Sequence, residues 1–304
     1  MLRRSFQATR VLLLCLLLSG CGGGGGKSGG ASLTDQYRNA MQIADPTGRV
    51  TQLLSVAGKQ EDAGDLMGAE QSLDSAAAAA KGIKDANGRA AALNRVAPAM
   101  ARMGRPAEAK NLLKDVRKAS EEIAEPASKV TALTRMAYTY GKYLESQDTA
   151  EIYLKDCEEI ASTVSRPEGK VDAMLEVAYA YYGLGQAEKM QGLIGQSLEA
   201  ARALEDTRKR TDSIANAAAY LSKMKKADEA KAAFQEAQTE AEKIEDPLSQ
   251  AHAFVHLGEK LNESSLKGEA QKILAQAEEA ADKVKDQSMR GPLMEKIYAT
   301  RQRI

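Results

Sequence analysis

Few side chains in this 304-residue chain could do chemistry, and their spacing limits what that chemistry would be. Histidine occurs twice, as His252 and His256. Four positions apart on a helix, the two imidazoles share a side and could offer two ligands to one metal. The pair lacks the glutamate of the zinc-protease helix, and no third ligand is evident. Solvent-facing or hydrogen-bonded histidines are therefore expected, and no metal is assigned. Gly26-Lys27-Ser28 imitates the end of a phosphate-binding loop, but Cys21 stands where that loop needs glycine and no strand precedes it. Nowhere does a nucleophile, acid or base have partners converging on it. The chain is expected to be no enzyme, with no catalytic residue and no cofactor.

The cysteines point to an address. Arg3, Arg4 and Arg10 lead into the apolar run Val11 to Leu18, which ends on Ser19, Gly20 and Cys21. A basic start, a short apolar stretch and small residues describe a secretory signal, and the run is far shorter than the roughly 20 residues a membrane-spanning helix needs. This segment resembles the bacterial lipoprotein signal. The resemblance implies that residues 1–20 are removed and that Cys21 is lipidated as the first residue of the mature chain. Arg3-Arg4-Ser5-Phe6 also resembles part of a twin-arginine signal, but the surrounding pattern is incomplete and the general secretory route is expected. Residues 21–32 then form a glycine-rich leash. Three acyl chains on Cys21 would suffice for stable anchoring, and by resemblance to enterobacterial sorting the absence of Asp at Gly22 favours the outer membrane, facing the periplasm.

Removal of Cys15 with the signal and lipidation of Cys21 leave Cys157 as the one free thiol, so no intrachain disulfide is expected. The 42 basic and 42 acidic residues become 39 and 42 once Arg3, Arg4 and Arg10 leave, a net charge near −3. Neither a basic domain nor a basic face is visible, which argues against a nucleic-acid partner.

A phrase recurs through the rest of the chain. It runs Ile43-Ala44-Asp45-Pro46, Ile83-Lys84-Asp85-Ala86, Ile123-Ala124-Glu125-Pro126, Val164-Ser165-Arg166-Pro167, Leu204-Glu205-Asp206-Thr207, Ile244-Glu245-Asp246-Pro247 and Val284-Lys285-Asp286-Gln287, at spacings of 40, 40, 41, 40, 40 and 40 residues. Counted from the third residue as zero, apolar or small residues return at offsets 8, 11, 12 and 15, as in Leu93, Val96, Ala97 and Met100, or Leu133, Met136, Ala137 and Tyr140. A second set returns at 24, 28, 31 and 35, as in Ala230, Phe234, Ala237 and Ala241. Each set is one helix face, and Gly64, Gly104 and Gly185 mark the turns between them. Strand signals are lacking. Each unit starts with Asp at the cap, with Pro at the first helical position (Pro46, Pro126, Pro167, Pro247), or with both. The basic residue four places on (Arg49, Arg89, Lys129, Lys170, Arg210, Arg290) is expected to join a solvated salt-bridge ladder. The extra residue of the third unit is expected in its turn, near Leu144 to Asp148.

These residues resemble the tetratricopeptide repeat. Leu93, Val96, Ala97, Met100, Gly104, Ala109, Leu113 and Val116 follow its intervals, as do Met174, Val177, Ala178, Tyr181, Gly185, Met190 and Ile194 in the fourth unit. The family unit has about 34 residues; here the second helix is extended, and tryptophan is missing. Because a hairpin of helices cannot bury both its faces alone, neighbours must stack. The expected fold is all-α: an α-solenoid of antiparallel helix pairs over residues 33–304, with six hairpins and a final helix from Gln287 as a solvating cap.

The resemblance also implies a concave, ligand-facing groove at offsets 6, 9, 13, 16 and 17 of the first helices. The central residues there are Asn94, Arg102, Thr131, Thr134, Tyr138, Lys142, Asp172, Leu175, Tyr179 and Tyr182. Tyrosine suits such a surface, joining a large apolar body to a hydrogen-bonding tip. Tyr140 and Tyr181 fall on the core stripe, and Cys157 on a buried second-helix slot. The expected role is a lipid-anchored scaffold that binds a partner protein or extended peptide; a tethered structural spacer or assembly subunit without a groove is the alternative.

Overall fold

Each repeat phrase sets a helix boundary by hydrogen bonding. In the computed structural model, which describes residues 31–304, Asp45, Asp85, Asp206 and Asp246 each accept a hydrogen bond from the amide three residues on, and Glu125 does the same for Ser128. Such a cap contributes roughly 0.5–2 kcal/mol. Asp286 caps through Ser288, whereas Arg166 makes no side-chain cap bond. The export signal, Cys21 and the glycine leash lie outside the described residues.

Fourteen helices result among the described residues, with no strand. They are α1 Leu33–Met41, α2 Pro46–Asp62, α3 Leu66–Lys81, α4 Ala86–Arg102, α5 Pro106–Glu122, α6 Pro126–Tyr143, α7 Gln147–Ser162, α8 Pro167–Gly183, α9 Ala187–Arg202, α10 Thr207–Lys223, α11 Ala227–Glu242, α12 Pro247–Glu263, α13 Lys267–Asp282 and α14 Gln287–Arg301. The fold is an all-α solenoid of antiparallel pairs, α2–α3 through α12–α13. First helices pack on the next first helix (α2, α4, α6, α8, α10, α12, α14), and each second helix packs on its partner and on the following first helix. The core offsets close as expected: Leu93, Val96, Ala97 and Met100, and Ala230, Phe234, Ala237 and Ala241, are all buried.

The three-residue turns carry Gly64, Gly104 and Gly185 at φ of 76–77°. Glu145, Lys225 and Ser265 adopt the same left-handed conformation at φ 51°, 60° and 62°. The additional residue of the third unit is taken up at the end of α6, which has 18 residues where α4 and α8 have 17. There the Ser146 amide reaches back six residues to the Tyr140 carbonyl, where Gln186 and Lys226 reach back five.

The basic residue at the fourth place does more than form a solvated ladder. Arg49 Nε donates to the Ile43 carbonyl at 2.8 Å, and Arg89 Nη1 to those of Ile83 and Lys84 at 3.0 Å. Arg89 also pairs with Glu122 at 2.6 Å, and Arg210 joins the Leu204 carbonyl to Glu240. In Arg89 and Arg210 one guanidinium thus ties the linker before its own helix to the end of the second helix of its own unit, where a cation also complements the helix dipole. Gln250, in the unit without a basic residue, bonds the Ala241 and Glu242 carbonyls instead.

At the far end α14 buries Leu293, Ile297 and Thr300, while Met289 and Tyr298 stay exposed.

Candidate functional site

Four first helices, α4, α6, α8 and α10, build one hollow on their shared face. Its volume is about 380 Å³, and its walls carry four tyrosines: Tyr138 and Tyr143 from α6, Tyr179 from α8 and Tyr220 from α10. Tyr138 meets Tyr143 edge to face at 6.2 Å between centroids, and Tyr179 meets Tyr220 the same way at 6.0 Å. Tyr179 is 40% exposed and stacks on its other side with Tyr182 at 6.3 Å. Backbone admits the ring of Tyr138: a Cβ at Gly183 of α8 would overlap it, so only glycine leaves the ring its place.

Burial raises the Tyr138 phenol above its ordinary value, helped by Tyr143 and Tyr179; burial also raises Tyr220, helped by Glu176. Both hydroxyls therefore stay protonated as donors. Lys223 Nζ lies 4.9 Å from the centre of the Tyr220 ring, and Arg102 Cζ 5.7 Å from that of Tyr143, both within cation–π range. Arg135, Glu176 and Pro98 complete the lining with Asn94 and Thr134. Asn94, only 7% exposed, donates from Nδ2 to the Ala132 carbonyl at 2.8 Å, while its Oδ1 has no partner.

Of the residues read from the sequence, Asn94, Thr134, Tyr138 and Tyr179 meet in this hollow; Arg102 lies over the Tyr143 ring and lines a different hollow with Leu54, Gly58 and Met103. Leu175 is a correction. It is fully buried, as are Ala215 and Val255 at the same offset 9, which faces the next first helix; Asn94 and Thr134 share that offset and line the hollow only from buried positions, 7% and 3% exposed. Tyr182 lines a separate hollow with Met190 and Lys226. The Thr131 hydroxyl is spent on the Ala127 carbonyl at 3.2 Å, and Lys142 is exposed without hydrogen bond or ion pair among the described residues. Asp172 accepts from Asn216 at 3.0 Å and is not part of the hollow's lining, although it stands one turn before Glu176 on α8. Tyr143, Tyr220, Arg135 and Glu176 each stand one residue past an expected offset and were not singled out, and Lys223, at offset 17 of the fifth unit, was left out because the site was centred on units three and four.

The histidines belong to a polar ladder further along the same face. His256 Nε2 lies 3.0 Å from Asn216 Oδ1, and Asn216 Nδ2 donates on to Asp172. Burial lowers both imidazoles, His256 to about 4, so they are neutral near pH 7. No group of three or more His, Cys, Asp or Glu side chains converges on a metal-sized space among the described residues. Cys157 is buried on α7 against the Val130 carbonyl, and burial pushes its thiol up to about 12. Tyr181 is fully buried, its hydroxyl donating to Glu158 at 2.5 Å.

No protein-family model matches the chain, and no curated protein matches it. Among solved structures, the crystal structure of Ton1535 from Thermococcus onnurineus NA1 is similar over 87% of this chain and 94% of that chain, with a TM-score of 0.44 and 13% identity. Among the described residues no helix is long and apolar enough to cross a membrane.

Proposed function

We propose that this chain is a tethered scaffold whose tetratricopeptide-like solenoid binds a partner protein through an extended segment laid on the first-helix face. The observation that carries the reading is the four-tyrosine hollow with a buried acceptor, Asn94 Oδ1, left without a donor. Buried polar atoms are normally paired, and aromatic anchors around a partly open hollow are what binding hot spots are made of. The tether in this reading is lipid on Cys21, with the solenoid in the periplasm at the outer membrane. Metabolic labelling with an alkyne fatty acid should mark the chain and leave a Cys21→Ala variant unmarked; equal labelling of both would remove the anchor from the account.

Tyr138→Ala combined with Tyr179→Ala tests the binding role. Loss of the co-purifying partner with unchanged helicity is the expected result. Full retention of the partner would favour a spacer that uses its helix edges.

A further inference from the structure

The hollow offers more than apolar area, and its leftover groups specify a chemistry. One edge-to-face pair comes from α6 and the other from α8 and α10, so the space between them is a slot walled by rings. Arg102, Arg135 and Lys223 are exposed around the slot and make no ion pair among the described residues; Glu176 is the one carboxylate in the lining.

Resting on the peptide-binding reading above, we propose that the slot takes an extended, acidic, proline-containing segment of a partner protein. A proline ring fills the space between the aromatic pairs. Side-chain carboxylates meet Arg135 and Lys223. Polyproline II conformation leaves every carbonyl without an internal bond, which suits the protonated tyrosine hydroxyls, and aromatic-lined grooves are the surfaces that recognise it. A neutral glycan would stack on the same rings but leave the cations without counter-charge. A cationic ligand would find Tyr143 and Tyr220 already covered by Arg102 and Lys223.

The test is fluorescence anisotropy on the full chain with a labelled dodecapeptide of alternating Glu and Pro. Its companions are the same peptide with Pro→Ala, the same with Glu→Lys, and labelled chitotetraose. Saturable binding of the Glu-Pro peptide is expected, weakened at least tenfold by either exchange and weakened by salt. Tyr179→Ala and Arg135→Glu, both at exposed positions, should weaken it too while melting curves stay unchanged. Equal binding of the alanine peptide, tighter binding of the lysine peptide, binding of chitotetraose alone, or no binding at all by the folded chain would each overturn the proposal. A partner lost from the Tyr138→Ala, Tyr179→Ala variant without any Glu-Pro peptide binding would sink the segment chemistry alone and leave the peptide-binding role standing.

Discussion

The tyrosine hollow and the polar ladder beyond it sit on one face and use the same repeat positions with opposite results. Arg135 and Glu176 in the hollow correspond to Asn216 and His256 in the ladder, and Tyr138 and Tyr179 correspond to Ala219 and Glu259. In the ladder, Asp172, Asn216 and His256 satisfy one another, and Glu259 is met by Thr300 and Lys296. In the hollow, rings hold space open and Asn94 keeps an oxygen unpaired. One backbone thus carries a closed surface and an open one, and side-chain pairing decides which.

The largest test of that contrast separates a tyrosine of the core from one of the hollow. Tyr181→Ala empties a fully buried site and should cost roughly 3–5 kcal/mol in urea unfolding, whereas Tyr179→Ala should cost under about 1 kcal/mol. Similar losses would mean that the exposed ring is a packing residue.

Acidification probes the ladder side next. Burial lifts the Asp212 carboxyl to about 6 from 3.8 and lowers the His256 imidazole to about 4 from 6.5. The folded chain holds the Asp212 proton more tightly than the unfolded chain does, so acidification from pH 6 towards 4 stabilises through Asp212. It holds the His256 proton less tightly, so acidification from pH 6.5 towards 4 destabilises through His256. Asp212→Asn removes the first effect: melting temperature at pH 7 should rise, then fall steadily between pH 6.5 and 4. His256→Gln should show the reverse slope. Parallel pH profiles for the two variants would refute the assignment.

A smaller change should act on the hollow alone. Gly183→Ala favours the helix but takes the space of the Tyr138 ring, so partner binding should weaken several-fold while melting temperature moves by only a few degrees. Unchanged binding would show that Tyr138 is not positioned by α8. The smallest expected effect is at Cys157, behind the hollow: a thiol reagent at pH 8 should not react with it in the folded chain and should react fully in denaturant.

The repeat, its caps and its core stripe were legible because each rests on short-range chemistry, such as Asp85 bonding the amide of Gly88 or Leu93 returning with Val96. The hollow was legible only in part. Successive helix positions are turned by about 100°, so Tyr220, one place past the expected offset, points into the hollow while Leu175 is carried into the next helix. Tyr143 lies in the stretch that absorbs the extra residue of α6, which no fixed offset anticipates. The arginine staples bind backbone carbonyls of the linker before their own helix, and such an acceptor leaves no trace in residue type; Gln250 at the same place was the available hint.

The most direct test of an open and a closed surface on one face is in-cell crosslinking from a photoreactive residue at position 138 or, at the same repeat position, 259. A defined protein adduct from 138 and none from 259 is the predicted result. Equal adducts from both positions, or an adduct from 259 alone, would contradict the account.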